Sequence, residues 1–167
     1  MSPRISAGFS LPELMVTLAI LIIFAGTALP NMLEFIDQQR ASAYVRQFSQ
    51  HLAYARVAAT SSNLPVQVCP LQAGQCVNQW QSTPVQLALQ YPNNTSLLLR
   101  ELPQVYAAHK LTFNRDAITF RRDGSLNGFD NGTFIYCGKD DATWHYTLTV
   151  NQAGRNRLSK LSTPCPN

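Results

Sequence analysis

Three cations near the C-terminus, Arg155, Arg157 and Lys160, have the types and spacing best suited to bind a charged ligand. No acidic residue follows Asp141, so these cations form a local excess of positive charge. If residues 155–157 are extended, Arg155 and Arg157 point to the same side, because side chains alternate along a strand. Each guanidinium can then hold a phosphate group through two parallel hydrogen bonds. The spacing therefore predicts a phosphate contact that does not read base sequence.

Neutral groups beside these cations are further candidates for the same site. Asn156 and the backbone N–H groups near Gly154 are placed to hydrogen-bond a nucleic-acid backbone. An Arg-x-Arg pattern is also typical of a solvated edge strand, where charge discourages pairing with another chain. The formal net charge of +4 includes one unit from Arg4, and this mildly basic balance does not by itself imply nucleic acid. Both interpretations of this basic segment, residues 151–160, therefore stay open.

A single carboxylate, Glu13, stands just before a long apolar segment near the N-terminus. No charged side chain occurs from Leu14 to Leu33, and as a helix this run is long enough to cross a hydrocarbon core of roughly 30 Å. A carboxylate inside lipid costs roughly 2.5 to 3.5 kcal/mol and usually has a partner. A free α-amino group on Phe9, created by cleavage after Gly8, is the obvious partner in an assembly of many copies.

The sequence GFSLPE followed by an apolar helix resembles the class III signal of type IV pilins and type II secretion pseudopilins. The resemblance implies a leader at 1–8 that a prepilin peptidase removes after Gly8, methylation of Phe9, and an assembly role for Glu13. It also implies a single-pass protein of the inner membrane with a periplasmic globular domain. Such a protein is later incorporated into a pilus, an extracellular fibre, with other major and minor pilins.

An amphipathic pattern continues the helix beyond the apolar segment. Steps of four and three residues produce an apolar stripe on one helical face, which consists of Ala41, Val45, Phe48, Leu52, Ala55 and Ala59. Polar breakers after Ala59 predict a helix end near Ser61. We therefore expect four segments: the leader, a transmembrane and filament-core helix at 9–33, its amphipathic continuation at 34–62, and a β-rich globular domain at 63–167.

The globular part has the composition of short strands. Seven segments show period-2 alternation or enrichment in β-branched and aromatic residues, namely 65–69, 85–91, 97–99, 110–113, 117–120, 133–137 and 143–150. Turn pairs such as Asp123-Gly124 separate them. The expected fold class is α+β, with one long N-terminal helix packed on a C-terminal antiparallel β-sheet or small β-sandwich.

Four cysteines, Cys69, Cys76, Cys137 and Cys165, all lie beyond the helix. In an exported chain an even number predicts disulfides, for which three connectivities exist. We favour the pairs Cys69–Cys76 and Cys137–Cys165, the second of which would tie down the extreme C-terminus. A zinc site is the alternative, although no CxxC pair is present.

The segment ITFRRDGSLNGFDNGTFIYCG, followed by a strand and AGRNR, is similar to the GspH/FimT-type domain of minor pilins and pseudopilins. In the branch of that family that serves natural transformation, the matching Gly-Arg-x-Arg element contacts DNA. The resemblance thus implies DNA binding by Arg155 and Arg157, with Lys160 in support. The expected protein is a minor pilin of a type IV pilus that acts in assembly at or near the tip and binds double-stranded DNA non-specifically for uptake. Two alternatives stay open: a structural or priming minor pilin without DNA binding, and an H-type pseudopilin of a type II protein secretion system.

No arrangement of catalytic residues is evident in the sequence. His51, His109 and His145 are scattered, and none has a nucleophile or carboxylate at a motif spacing that would activate it. Asp130 and the pair at 140–141 lack the spacing of an EF-hand calcium loop. The sequence predicts neither an enzyme nor a cofactor nor a metal site.

Overall fold

The computed structural model describes residues 10–166, apart from the side chains of residues 27, 28, 30 and 31. The chain divides into two compact units that meet between Gln38 and Gln39. One helix, α1 (Leu11–Ser62), begins in the first unit and ends in the second, and the strands all belong to the second unit. The predicted leader at 1–8 and the cleavage and methylation residues Gly8 and Phe9 lie outside the described residues.

The first unit presents an apolar helical surface to solvent. Large apolar side chains between Leu11 and Phe35 expose between 47% and 75% of their surface. Among the described residues, no helical segment combines the length and the hydropathy that a membrane crossing needs. The transmembrane segment at 9–33 is therefore not confirmed and stays a prediction.

The start of α1 gives Glu13 a local role. Ser10 directly precedes the helix, and the Leu14 N–H donates to the Ser10 carbonyl oxygen at 3.1 Å. Glu13 is the acidic residue of the first turn. Ser10 and Glu13 thus have the S-x-x-E spacing of a capping box, and a negative charge there interacts favourably with the helix dipole. This local role is independent of any assembly role.

The apolar stripe of α1 packs into the core of the second unit, as predicted. All six stripe residues are buried, each with at most 2% of its surface exposed. The Phe48 ring lies 4.8 Å from that of Phe134 and 6.4 Å from that of Trp80, measured between centroids. The helix ends at Ser62, where Asn63 takes a positive φ of 54° and so stops it. Every buried apolar residue in the described part of the chain lies at Ala41 or beyond, so we expect residues 39–167 to fold on their own.

Two antiparallel sheets cover the stripe. The first contains β1 (Val66–Gln72), β2 (Gln75–Cys76), β3 (Val85–Gln90) and β4 (Ser96–Leu102), together with β6 (Ile118–Phe120), which follows β5 in the sequence. Its order is β2-β1-β3-β4, and β6 pairs with β1. The second sheet contains β5 (Lys110–Thr112), β7 (Gly132–Cys137), β8 (His145–Val150) and β9 (Asn156–Leu161), in the order β5-β7-β8-β9. This is the expected α+β fold, with a helix packed on antiparallel β-structure.

Strand β9 was not among the predicted strands, although it carries most of the basic segment. It pairs with β8 over its whole length, with Val150 opposite Asn156 and His145 opposite Leu161. Among the strands of residues 10–166, none pairs with its other edge. The basic segment therefore lies on an edge strand, where the solvated-edge interpretation expects an Arg-x-Arg pattern.

Both favoured disulfides are present. Cys69 is bonded to Cys76 across the β1–β2 hairpin, and Cys137 at the end of β7 is bonded to Cys165. The second bond holds the segment after β9 against the second sheet.

Candidate nucleic-acid interface

The turn between β8 and β9 uses its own backbone donors. The Asn151 N–H donates to the Arg155 carbonyl at 3.0 Å, and the Gly154 N–H donates to the Asn151 carbonyl at 2.9 Å. The Arg155 N–H donates to the Asn151 side-chain oxygen, also at 2.9 Å. The prediction that N–H groups near Gly154 contact a ligand is therefore wrong for these three donors, because the turn itself satisfies them.

Asn156 faces the helix rather than a ligand. Its side-chain nitrogen donates to the carbonyl oxygen of Ser49 in α1 at 2.6 Å, and the residue is half-buried. The prediction that Asn156 contacts a phosphate backbone is corrected accordingly. The side chain ties β9 to α1 and so fixes which face of the strand points outward.

Arg157 lies on the outward face of the second sheet. It is paired with Thr149, which is paired in turn with Thr133, and the two threonine hydroxyl oxygens are 2.9 Å apart. Arg155 stands one residue before β9, two positions from Arg157, and both arginines are exposed. Within residues 10–166, neither of them forms an ion pair with a carboxylate. Their charges are thus available to an anionic ligand.

Lys160 is not grouped with these arginines. It shares its side of β9 with Asn156 and Leu158, the second of which packs against the core, whereas Arg157 lies on the opposite side. Four residues of strand, or about 13 Å, separate Lys160 from Asn156. Lys160 also has an interaction within the protein. The structure therefore brings Arg155 and Arg157 together and leaves Lys160 apart.

A second basic turn lies against the β8–β9 turn. The Gln152 side chain donates to the Leu126 carbonyl at 2.7 Å, and the Leu126 N–H donates to the Gln152 carbonyl at 2.9 Å. Next to this reciprocal pair, Gly154 is buried against the carbonyl oxygen of Gly124. A Cβ on residue 154 would overlap that oxygen, and Gly154 also has a positive φ of 72°. Glycine is therefore required at the start of the Gly-Arg-x-Arg element for packing rather than for ligand contact.

The second turn carries Arg121 and Arg122, which line one cleft. As neighbours on a strand they would point to opposite faces, but β6 ends at Phe120 and both residues lie in the turn that follows it. The cleft has a volume of about 540 Å³ and is lined by Pro65, Thr119, Arg121, Arg122, Asp123 and Asn127. From the sequence, Arg121 and Arg122 are a second possible phosphate site that Asp123 partly cancels, but they are not grouped with the C-terminal arginines, because the Gly124–Gly154 contact joins turns that are thirty residues apart.

A carboxylate lines the cleft, and a third arginine packs on the turn that carries it. The Ser125 hydroxyl and N–H donate to the Asp123 carboxylate at 2.6 and 3.0 Å and lower its pKa, with a smaller contribution from Arg121. Asp123 is therefore ionised at neutral pH. The Arg56 side chain packs on the turn, since its Cγ and Nε would both lie 3.2 Å from a Cβ on Gly124. Residues 39–167 contain twelve Lys and Arg residues against six Asp and Glu residues, so this unit is clearly cationic.

The three histidines have structural partners. The Nδ1 atoms of His51, His109 and His145 lie 2.8, 2.7 and 2.9 Å from the Gln47 carbonyl, the Tyr136 hydroxyl and the Thr163 carbonyl, and all three residues are buried. Residues 10–166 contain no group of three or more His, Cys, Asp or Glu side chains placed to hold a metal ion.

Comparison with known proteins identifies two segments of the chain. The family described as type II transport protein GspH matches residues 44–154, and the prokaryotic N-terminal methylation motif matches residues 3–29. The first match stops at Gly154, immediately before Arg155. No curated protein sequence gives a significant match to the chain.

Two solved structures share the fold. One is the type IV minor pilin FimU of Pseudomonas aeruginosa, with 23% identity and a TM-score of 0.59 over 80% of this chain and 97% of that one. The other is the minor pseudopilin EpsH from the type 2 secretion system of Vibrio cholerae, with 12% identity and a TM-score of 0.56 over 72% of this chain and 96% of that one. On the family match, which spans about two thirds of the sequence, the chain belongs to the GspH family of minor pilins and pseudopilins.

Proposed function

We propose that the protein is a minor pilin of a type IV pilus that binds the DNA backbone through Arg155 and Arg157. The observation that carries the proposal is the pair of exposed arginines on a turn and strand fixed to the protein body. Neither arginine has an acidic partner in the described part of the chain. Because the two arginines stand two positions apart and neither is neutralised by a carboxylate within residues 10–166, they suit two phosphate groups of one DNA molecule.

Assembly into the fibre rests on the N-terminal helix. A prepilin peptidase would cut after Gly8, and Phe9 would then carry the methylated α-amino group. The protein would wait in the inner membrane with its globular domain in the periplasm. In the fibre, the exposed apolar side chains between Leu11 and Phe35 would pack against other pilins, and Glu13 would pair with the α-amino group of a neighbour.

Binding by two arginines is weak and does not depend on base sequence. Each phosphate contact on duplex DNA contributes about −0.9 to the slope of log K against log salt, so the pair contributes about −1.8. Weak binding suits a retracting fibre that holds DNA briefly, and several subunits would raise the overall strength by avidity.

Fluorescence-anisotropy titration of residues 39–167 with duplex DNA at 50 and 200 mM salt tests the proposal. The test variant is Arg155→Gln/Arg157→Gln. The control variant is Lys110→Gln/Lys139→Gln, which removes two positive charges at the other end of the second sheet, about 17 Å along the strands, where Lys110 is paired with Asp140 at 2.7 Å. We expect the test variant to lose most of its affinity and the control to bind like the wild type. Equal behaviour of the two variants would refute a specific role for the arginines.

The family description favours one second candidate, an H-type pseudopilin of a type II secretion system. Such a protein moves protein cargo and does not need to bind DNA. An absence of DNA binding by residues 39–167 at 50 mM salt would support this candidate or a structural minor pilin.

A further inference from the structure

We infer that the cleft of Arg121 and Arg122 is a second phosphate-binding site for the same DNA duplex. The inference rests on the proposed function, because it extends the DNA contact from Arg155 and Arg157 to a separate turn. It assigns a ligand class, the phosphodiester backbone, to a cleft of about 540 Å³.

The cleft lies beside the C-terminal arginines. Gly154 packs on Gly124, Arg155 follows Gly154 directly, and Arg122 stands two residues before Gly124. At no more than about 3.8 Å per residue, the Cα atoms of both arginines lie within about 8 Å of the residues that form this contact. The reciprocal hydrogen bonds between Gln152 and Leu126 hold the two turns in register. A duplex seated on Arg155 therefore passes close to Arg122.

The side chains that line the cleft are of the types that bind phosphate. Arg121 and Arg122 supply ten N–H donors in two forks that match phosphate oxygens. Both residues are exposed, and no ion pair of either with a carboxylate occurs within residues 10–166. Thr119 and Asn127 add a hydroxyl and an amide to the wall, and such groups commonly bind phosphate oxygens. The cleft can thus hold a phosphate group by charge and by hydrogen bonds.

Positive charge exceeds negative charge in the cleft lining. Asp123 is its acidic member, and one oxygen of its carboxylate accepts both Ser125 hydrogen bonds, which lower its pKa. The charge of Arg121 lowers the same pKa further. The lining therefore carries two arginines against one carboxylate, and Arg56 packs on the same turn.

The extent of the interface determines the salt dependence. Four phosphate contacts predict a slope of about −3.6 for log K against log salt, whereas the two C-terminal arginines alone predict about −1.8. Between 50 and 200 mM salt the first slope weakens binding about 150-fold and the second about 12-fold. The two cases are readily separated by titration.

The test compares the slopes of four forms of residues 39–167 with one duplex: wild type, Arg121→Gln/Arg122→Gln, Arg155→Gln/Arg157→Gln, and the Lys110→Gln/Lys139→Gln control. We expect each arginine double variant to lower the slope by about 1.8 and the control to keep the wild-type slope. Thermal unfolding of each variant checks that the fold is retained, which we expect because the four arginine side chains are exposed.

This inference would be overturned if Arg121→Gln/Arg122→Gln kept the wild-type slope and affinity while Arg155→Gln/Arg157→Gln lost binding. That result would leave the proposed function intact. A wild-type domain that does not bind DNA at 50 mM salt would overturn both. A further variant, Asp123→Asn, removes the negative charge while its side-chain oxygen still accepts from Ser125. We expect it to bind DNA severalfold more tightly than the wild type, and weaker binding would count against phosphate in the cleft.

Discussion

Gly154 lies directly against the main-chain carbonyl oxygen of Gly124, in a contact that leaves no room for a side chain on residue 154. The contact joins the turn before β9 to the turn after β6. It places Arg155 beside the turn that carries Arg121 and Arg122. The glycine of the Gly-Arg-x-Arg element is therefore a packing residue that positions the arginines.

Replacement of Gly154 by alanine tests this packing. Gly154→Ala would have to relieve both a positive φ and an overlap with backbone, so we expect a loss of about 2 to 4 kcal/mol in the free energy of unfolding. The matched control is Gly74→Ala, where φ is also positive but nothing lies within 4 Å, and the expected loss is about 1 kcal/mol. Urea unfolding of residues 39–167 measures both. Equal losses would contradict the close contact.

Asn156 is expected to affect stability and not DNA binding. Asn156→Ala removes the hydrogen bond to the Ser49 carbonyl and should cost about 0.5 to 1.5 kcal/mol, while affinity for duplex DNA stays within about twofold of the wild type. Arg157→Gln should show the reverse pattern, because its side chain is exposed. The two variants are compared by urea unfolding and by anisotropy titration. A loss of affinity in Asn156→Ala at unchanged stability would restore the residue as a ligand contact.

The two disulfides should differ in their contribution to stability. They close loops with sequence separations of 28 and 7 residues. The loop-entropy estimate is about 3.6 kcal/mol for Cys137–Cys165 and about 2.4 kcal/mol for Cys69–Cys76. Paired serine variants of each bond, unfolded in urea, test the order. A larger loss on removal of Cys69–Cys76 would contradict the chain-entropy argument.

The sequence predicted the elements of this fold better than it predicted the site. The apolar stripe from Ala41 to Ala59 and its burial follow from helical period alone, and the end of α1 was expected within one residue of Ser62. Both cysteine pairs were also predicted correctly, since they are the pairs nearest in sequence. These features depend on local spacing, which a sequence contains.

Strand β9 and the site were harder to predict for a physical reason. In β9 the inward side carries Asn156, Leu158 and Lys160, so polar residues lie on both faces and the strand period is hidden. The sequence alone marks Arg121 and Arg122 as a possible phosphate site, but their position beside the C-terminal arginines depends on a contact between distant turns, which nothing in the local sequence indicates. The prediction that Arg155 and Arg157 point to the same side depends only on strand geometry, and Arg155 lies one residue before β9.

Glu13 offers a test of the assembly mechanism that separates charge from helix capping. Glu13→Gln keeps the S-x-x-Q form of a capping box but removes the negative charge. If Glu13 pairs with the α-amino group of a neighbouring Phe9, Glu13→Gln and a second variant, Glu13→Leu, which also removes the capping group, should both be processed by the peptidase and both be missing from sheared fibres. Immunoblots of membrane and fibre fractions measure this. Normal incorporation of Glu13→Gln would reject the charge pairing.

The most direct test of the central claim is the affinity of residues 39–167 for duplex DNA, measured at 50 mM salt with and without Arg155 and Arg157. We predict weak binding that does not depend on base sequence, that falls steeply with salt, and that is largely lost in Arg155→Gln/Arg157→Gln but kept in Lys110→Gln/Lys139→Gln. A wild-type domain that does not bind, or an arginine variant that binds as the wild type does, would contradict the claim. In that case Arg155 and Arg157 would be the solvated edge of a purely structural pilin.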